Sequence, residues 1–289
     1  MKNIGEHHIW SYHNVRNGAQ KVTNVSAIRA GKGHPVKSFL DLARKVADLQ
    51  FRNPDWVLMF RGQNGDHLSV RRNTSLQPGI FRPEPGQSPR SMKDIIRTRY
   101  DILAKAEKRL IEEYVKSTLL GRNRIERQSI LRWAILQHYE VCPTPLLDIT
   151  QSLRIAASFA TRNAKEEAFL FVLAIPNLSG AITVNAQAGL QVVRLASVCP
   201  PSAIRPHIQE GYLLGEYPDL SHYSQKELYK PNEHDFGRRL VAKFRLDPRT
   251  FWQNETFPLV PDDDLYPSID KDPLSSIAGR IKEVIRVNT

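Results

Sequence analysis

At 289 residues, 41% of them apolar, the chain is long enough for one large domain or two small ones, and apolar enough that disorder is not the default. Charged residues interrupt every run that could cross a bilayer, the N-terminus lacks the apolar core of a secretory signal, and two cysteines exclude a disulfide framework or a Cys-rich zinc site; a cytoplasmic protein with reduced thiols is expected. The net charge of +11 favours a polyanionic partner, nucleic acid or an acidic protein, over a neutral one.

Residues 1–35 are polar and mixed and read as an arm or a short strand, with His7, His8 and His13 in a solvated leader rather than a metal site. From Ser38 to Leu49 the apolar spacing of Phe39, Leu42, Ala43, Val46 and Leu49 predicts a helix, with Ser38 or Asp41 in its first turn. The stretch Trp56 to Gln63 follows, an apolar run bounded by Pro54 and by Gly62 and Gly65, and reads as a buried strand that ends on Arg61. A guanidinium at the mouth of a buried strand needs an anionic partner, either a core carboxylate such as Asp148 or a bound anion. Gly62 then admits close approach of another backbone or a ligand.

Residues 64–92 are rich in Gly, Pro, Asn, Ser and Arg and form a long loop that carries Arg71, Arg72, Arg82 and Arg90. A long helix is expected from Met92 to Leu120, with Gly121 as its C-cap, and a second from about Glu126 to Tyr139. Leu146 to Thr150 reads as a strand, Ser152 as the cap of a helix to about Thr161, and Ala168 to Ile175 as an unbroken apolar strand. Further strands are expected at Ile182–Val184, Leu190–Val198 and Tyr212–Leu214, a turn or short helix from Ile204 to Gly211, and a strand near the sheet edge at Leu240–Leu246. Asp262 to Asp264 reads as a solvated acidic loop and Ser275 to Val287 as a closing helix. One mixed α+β domain fits this order better than two lobes.

Three polar islands interrupt apolar elements: Arg61 with Gln63; Gln137-His138-Tyr139 with Asp148 and Thr150; and Arg205, His207, Gln209 and Glu210. Each stands at the end of an element, where a cleft can gather them. Each also has a plain structural reading: His138 as a satisfied core histidine, Thr150 as a helix cap, Glu210 as a turn residue. No zinc motif, Walker loop or nucleophile elbow is present.

The islands resemble the FRG domain family, named for its Phe-Arg-Gly. The likeness rests on Phe60-Arg61-Gly62-Gln63, on Gln137-His138-Tyr139, on Pro143 to Thr150 with Ala156, Phe159 and Ala160, and on Arg205 with Gln209 and Gly211, and spans roughly residues 35–245. Two departures stand out: Glu140 where the family has glycine, and an inserted residue around Cys142. The FRG layout in turn looks like that of ADP-ribosyltransferases. By that analogy the resemblance implies a mixed split β-sheet core with flanking helices, a long helical segment at 92–140, and NAD as substrate. Residues 1–35 would be an N-terminal arm, 36–250 the FRG domain, and 251–289 a loop and helix packed on it.

The same analogy gives Arg61 the NAD phosphates or ribose, with Gly62 and Gln63 beside it. It puts Thr150 with Asp148 in the second motif and Gln209 or Glu210 in the third. Tyr139 or Tyr212 would stack on nicotinamide, and His138 would serve as a base. The resemblance places such a protein among bacterial toxins or phage-defence effectors, with RNA (or DNA) as acceptor and an antitoxin protein as partner. An NAD glycohydrolase, a non-catalytic RNA-binding module, and a nuclease using His138 and His207 are the rival expectations.

Overall fold

The structure, a computed structural model, describes residue 4 and residues 8–13, 18–22, 24–83, 89–226, 231–253 and 257–287. In chain order its elements are β1 (Ile9–Ser11), β2 (Gln20–Val22), α1 (Val25–Ala30), β3 (His34–Val36), α2 (Phe39–Arg52), β4 (Val57–Gln63), α3 (Pro89–Val115), α4 (Arg122–Arg127), α5 (Ser129–His138), β5 (Leu147–Thr150), α6 (Leu153–Thr161) and β6 (Ala168–Ile175). They continue with β7 (Ile182–Asn185), β8 (Leu190–Arg194), α7 (Leu195–Val198), α8 (Ile204–Ile208), β9 (Gly211–Glu216), α9 (Tyr223–Lys226), β10 (Leu240–Leu246), α10 (Asp262–Leu265) and α11 (Pro273–Val287).

Strand β6 shows why the sheet forms where it does. All eight of its residues are buried. A strand covered on both faces has no solvated side, so its sequence runs apolar without alternation. Around it the strands order as β3-β10-β6-β4-β5-β9-β8-β7 in one mixed eight-stranded sheet. The β3–β10 pair is parallel and the other pairs are antiparallel.

The two halves of this sheet meet at a weak seam. Strand β4 pairs with β6 along all seven of its residues, and β5 with β9 along all four of its own. Between β4 and β5 the register has one pair, Phe60 with Thr150. Beyond that pair the strands part, and the gap is the floor of the site described below.

Two apolar cores cover the sheet, and the first runs across both halves, from β10 to one side of β8 and β9. Helices α1, α2 and α6 pack with β4, β6 and β10, whereas α3, α4, α5 and α11 pack with the other side of β8 and β9. The helix predicted after Lys37 starts where its cap chemistry places it: the Asp41 N–H donates to Ser38 Oγ at 3.2 Å, and Leu42, Val46 and Leu49 point inward.

Several expectations need correction. Within residues 1–35, read as an arm or a short strand, the described part holds the short strands β1 and β2 and the start of β3, and Ile9, Val22, Val25 and Ile28 are buried in the core; His7 lies outside the described residues. The long helix ends at Val115, and Gly121, with a left-handed φ of 95°, starts α4 instead of capping α3. Gln128, with extended φ and ψ of −119° and 107°, then breaks the second helix into α4 and α5. The apolar run 190–198 changes from strand to helix at Leu195, and Asp262–Asp264 begin a helical turn. Strand β10 lies near the sheet edge as expected, one place inside it. Among the described residues no helix is long and apolar enough to cross a membrane. Cys142 and Cys199 are buried free thiols, pushed up to about 12 by burial.

Candidate active site

Gly62 is the first determinant of the site. An added Cβ there would stand 1.8 Å from the Ala156 carbonyl oxygen and 2.7 Å from the Ala160 nitrogen. The close approach that this glycine permits is therefore that of helix α6. With α6 seated on β4, the end of β4 is held beside the start of α6, and Arg61 turns into the gap between β4 and β5.

Arg61 Nη1 donates to the main-chain carbonyl oxygen of Asp148 at 2.6 Å. It thereby satisfies an acceptor that the parted strand no longer pairs. The Asp148 side chain, 38% exposed, faces a cleft of about 360 Å³. Its Oδ2 accepts from Gln137 Nε2 at 2.7 Å, and its Oδ1 lies 3.8 Å from His138 Nδ1. Thr144 Oγ1 donates to Gln137 Oε1 at 2.8 Å, which fixes the direction of that amide. Burial alone would raise the Asp148 carboxyl, but His138, Arg61 and Gln137 hold it below the ordinary carboxylate range. His138 is itself buried, and burial pushes its imidazole below the usual value.

The charges divide the cleft into two ends. At the rim, Arg205 pairs with Glu140 at 2.7 Å and Arg162 with Asp262 at 3.0 Å, and both guanidiniums lie against the Tyr266 ring, at 4.6 and 4.3 Å from its centre. At the floor, Arg61 bonds the main-chain carbonyl of Asp148; Arg82, behind it and outside the lining, bonds that of Gln77. Burial, and then repulsion from Arg82, lowers Arg61 to about 10. Burial lowers His67 on the cleft wall as well, followed by the same two arginines. Among the described residues neither guanidinium is hydrogen-bonded to a carboxylate, although the charge of Asp148 acts on both.

Five cleft-lining residues also carry buried polar atoms without a hydrogen-bond partner among the described residues: Arg61 Nε, Gln63 Oε1, His138 Nε2, Arg205 Nε and Arg162 Nε, the last of these held in the ion pair with Asp262. Such atoms are scarce in native proteins, and their gathering marks the cleft as a candidate site for a polar ligand.

Residues 57–168 match the family model of the FRG domain. The chain carries an FRG domain. No curated protein and no solved structure matches the chain. The match covers the first two islands and is narrower than the 35–245 span read from the motifs; Arg205, Gln209 and Tyr266 reach the cleft from beyond it.

Of the residues singled out in the sequence, Arg61, Gly62, Gln63, His138, Asp148, Thr150 and Gln209 line the FRG-domain cleft. Two of these have much of their bonding capacity engaged. The Thr150 hydroxyl reaches the carbonyl oxygens of Gln209 and Glu210, at 2.8 and 3.1 Å, and accepts from Ser152 N–H, while Ser152 stands at the N-cap of α6 without a side-chain cap bond. Gln209 Nε2 donates to the Leu265 carbonyl at 2.6 Å.

Four residues do not line the cleft. Glu210 is exposed in the turn before β9, with a left-handed φ of 44°. Tyr139 is buried and donates to Asp272, a carboxylate that also receives the Arg205 and Leu274 N–H groups. Tyr212 bonds Gln151. His207 is exposed on α8 and does not face His138 across the cleft, which removes the acid–base pair a nuclease would use. Among the described residues no cluster of metal-ligating side chains exists.

The sequence reading missed Asn64, His67, Arg162, Asn163 and Tyr266. Arg162 and Asn163 end α6 on the cleft side, and a polar pair closing an apolar helix was a usable signal. Tyr266 had none: only the docking of α10 beside Gln209 brings it in.

Glu140 explains one departure from the FRG pattern. It occupies the left-handed position, φ 55°, of a helix-ending motif in which Glu140 N–H bonds Gln137 O and Val141 N–H bonds Leu136 O. Glycine suits that position; here a glutamate fills it and pairs with Arg205.

Proposed function

We propose that this FRG domain binds NAD in the seam cleft and transfers its ADP-ribose to an acceptor. The single observation that carries the reading is the juxtaposition, in one cleft, of a buried guanidinium that among the described residues bonds a main-chain carbonyl (Arg61, with the charge of Arg82 close behind it) and a partly exposed carboxylate (Asp148). Arginine suits a diphosphate because its planar fork makes paired, charge-assisted bonds.

In this reading the bond between nicotinamide nitrogen and ribose C1′ breaks, and its electron pair leaves with neutral nicotinamide. Positive charge develops on the ribose ring, as in glycoside cleavage, and the Asp148 carboxylate stabilises it. The acceptor oxygen or nitrogen then bonds to C1′, and its proton passes to His138, which burial keeps neutral. The third-motif role expected of Gln209 or Glu210 passes to Asp148. The net charge of +11 supports RNA as acceptor. A toxin or phage-defence setting, with an antitoxin protein as partner, is the part of the reading drawn from the resemblance alone.

A second reading is favoured by the engaged Thr150 and Gln209: a module that binds a nucleotide or RNA without turnover. One experiment separates them. The protein is incubated with NAD labelled in the adenylate and with total RNA, DNA or protein. Label in a macromolecule supports transfer, free ADP-ribose selects an NAD glycohydrolase, and binding without nicotinamide release selects the module.

A further inference from the structure

The loop after β4 holds a feature that the cleft does not use. Residues 67–75 form a tight hairpin: Ser75 N–H bonds His67 O, Ser69 N–H bonds Asn73 O, and Leu68 pairs with Thr74. Its base is fixed in the core. The buried ammonium of Lys243 donates to Asp66 Oδ2 at 2.6 Å and to Thr74 Oγ1 at 2.8 Å, and Thr74 N–H bonds Arg29 O. Burying a lysine is costly unless it is paired, so this ion pair resists loosening of the hairpin.

The tip is the reverse of its base. Val70 is fully exposed, at 103%, Leu68 is 47% exposed, and Arg71 and Arg72 are exposed with no ion pair among the described residues. Arg72 has a left-handed φ of 57°, a conformation that glycine adopts freely and a long side chain does not. A local cost in a rigidly held loop points to a use for the side chain. The root residues Asn64 and His67 line the cleft, so the tip lies within roughly 10 Å of the cleft wall, the reach of three residues of extended chain beyond His67.

We infer that residues 68–72 are a docking finger for a single-stranded nucleic acid: Arg71 and Arg72 contact its phosphates, and Val70 lies against a sugar or base. Two guanidiniums without an ion pair among the described residues, next to an exposed small apolar side chain, fit a phosphate backbone better than an acidic protein, which would meet an apolar contact too small to anchor it. The finger rests on the function proposed above only for what the strand is brought to, namely the acceptor end of the cleft.

The test is the double variant Arg71→Ser with Arg72→Gly. Glycine suits the left-handed turn, so the variant should melt no lower than the parent chain. Binding of a labelled mixed-sequence single-stranded RNA is measured against salt, with NAD cleavage measured in parallel. The expected result is about a tenfold weaker affinity and a salt slope shallower by about 1.4, the loss of two phosphate contacts at ~0.7 each. NAD cleavage without RNA should be unchanged. Parental RNA affinity in the variant, or no RNA binding by the parent chain, overturns the finger and leaves the NAD reading untouched. Lost RNA binding in a chain that never cleaves NAD sustains the finger and defeats that reading.

Discussion

Arg61 binds the main-chain carbonyl of Asp148, not its carboxylate. The pairing closes the seam of the sheet and leaves the acid free to face the cleft. Arg61→Ala should therefore have two separable effects. Removing a charge-assisted bond should lower stability by about 1.5–3 kcal/mol in chemical denaturation. NAD binding by calorimetry should be lost in the fraction that remains folded. Retained binding would remove Arg61 from the anion site.

Asp148→Asn keeps the shape and removes the charge. NAD should bind about as well as before, while nicotinamide release should fall by a factor on the order of 10² to 10³. Weaker binding with an unchanged rate at saturating NAD would mean that the carboxylate holds ground state and transition state alike.

Gly62→Ala forces a Cβ into the backbone of α6 at 1.8 Å. Backbone cannot move aside as a side-chain tip can, so a loss of more than about 3 kcal/mol, or no soluble protein, is expected. A variant with parental melting behaviour would show that the packing of α6 on β4 is not as described.

Glu140→Gly relieves a left-handed residue, which should add about 1 kcal/mol, less what the exposed pair with Arg205 contributed. It also frees Arg205 at the cleft rim, so pyrophosphate should bind more tightly than to the parent. Unchanged pyrophosphate affinity would place Arg205 outside the anion's reach.

His138 titrates below its ordinary value of 6.5 because it is buried. The unfolded chain then takes up this proton at a higher pH than the folded one. Its contribution to stability is complete above about 6.5 and declines as pH falls below that value, by at most ~1.4 kcal/mol per pH unit. Nuclear magnetic resonance of the His138 ring should give a midpoint below 6.5; a higher one would mean that Asp148 outweighs burial.

Much of this molecule was legible before its structure. Strand β6 was readable to the residue because both faces are covered, and α2 because Ser38 marks its start. The break at Gln128 was not, since no glycine or proline announces it, nor was the change at Leu195, where the same apolar run suits strand and helix. In the cleft, Arg61 and Asp148 stood out as polar residues inside apolar runs. Tyr139 did too, but adjacency to His138 misled: neighbours at a helix end point in different directions, and Tyr139 turns under the site to bond Asp272. Tyr266 depends on long-range docking, which leaves no local pattern.

The single Phe60–Thr150 pairing also bears on which piece of this protein can be made on its own. Residues 57–168 contain β4 and β5, which barely touch, while β6 starts at the last matched residue and β9 lies beyond it. The recognisable segment therefore carries both banks of the cleft without the strands that hold either in place. Expressed alone, it should not fold; the smallest working unit must run on through β10 and the stretch that bears Tyr266.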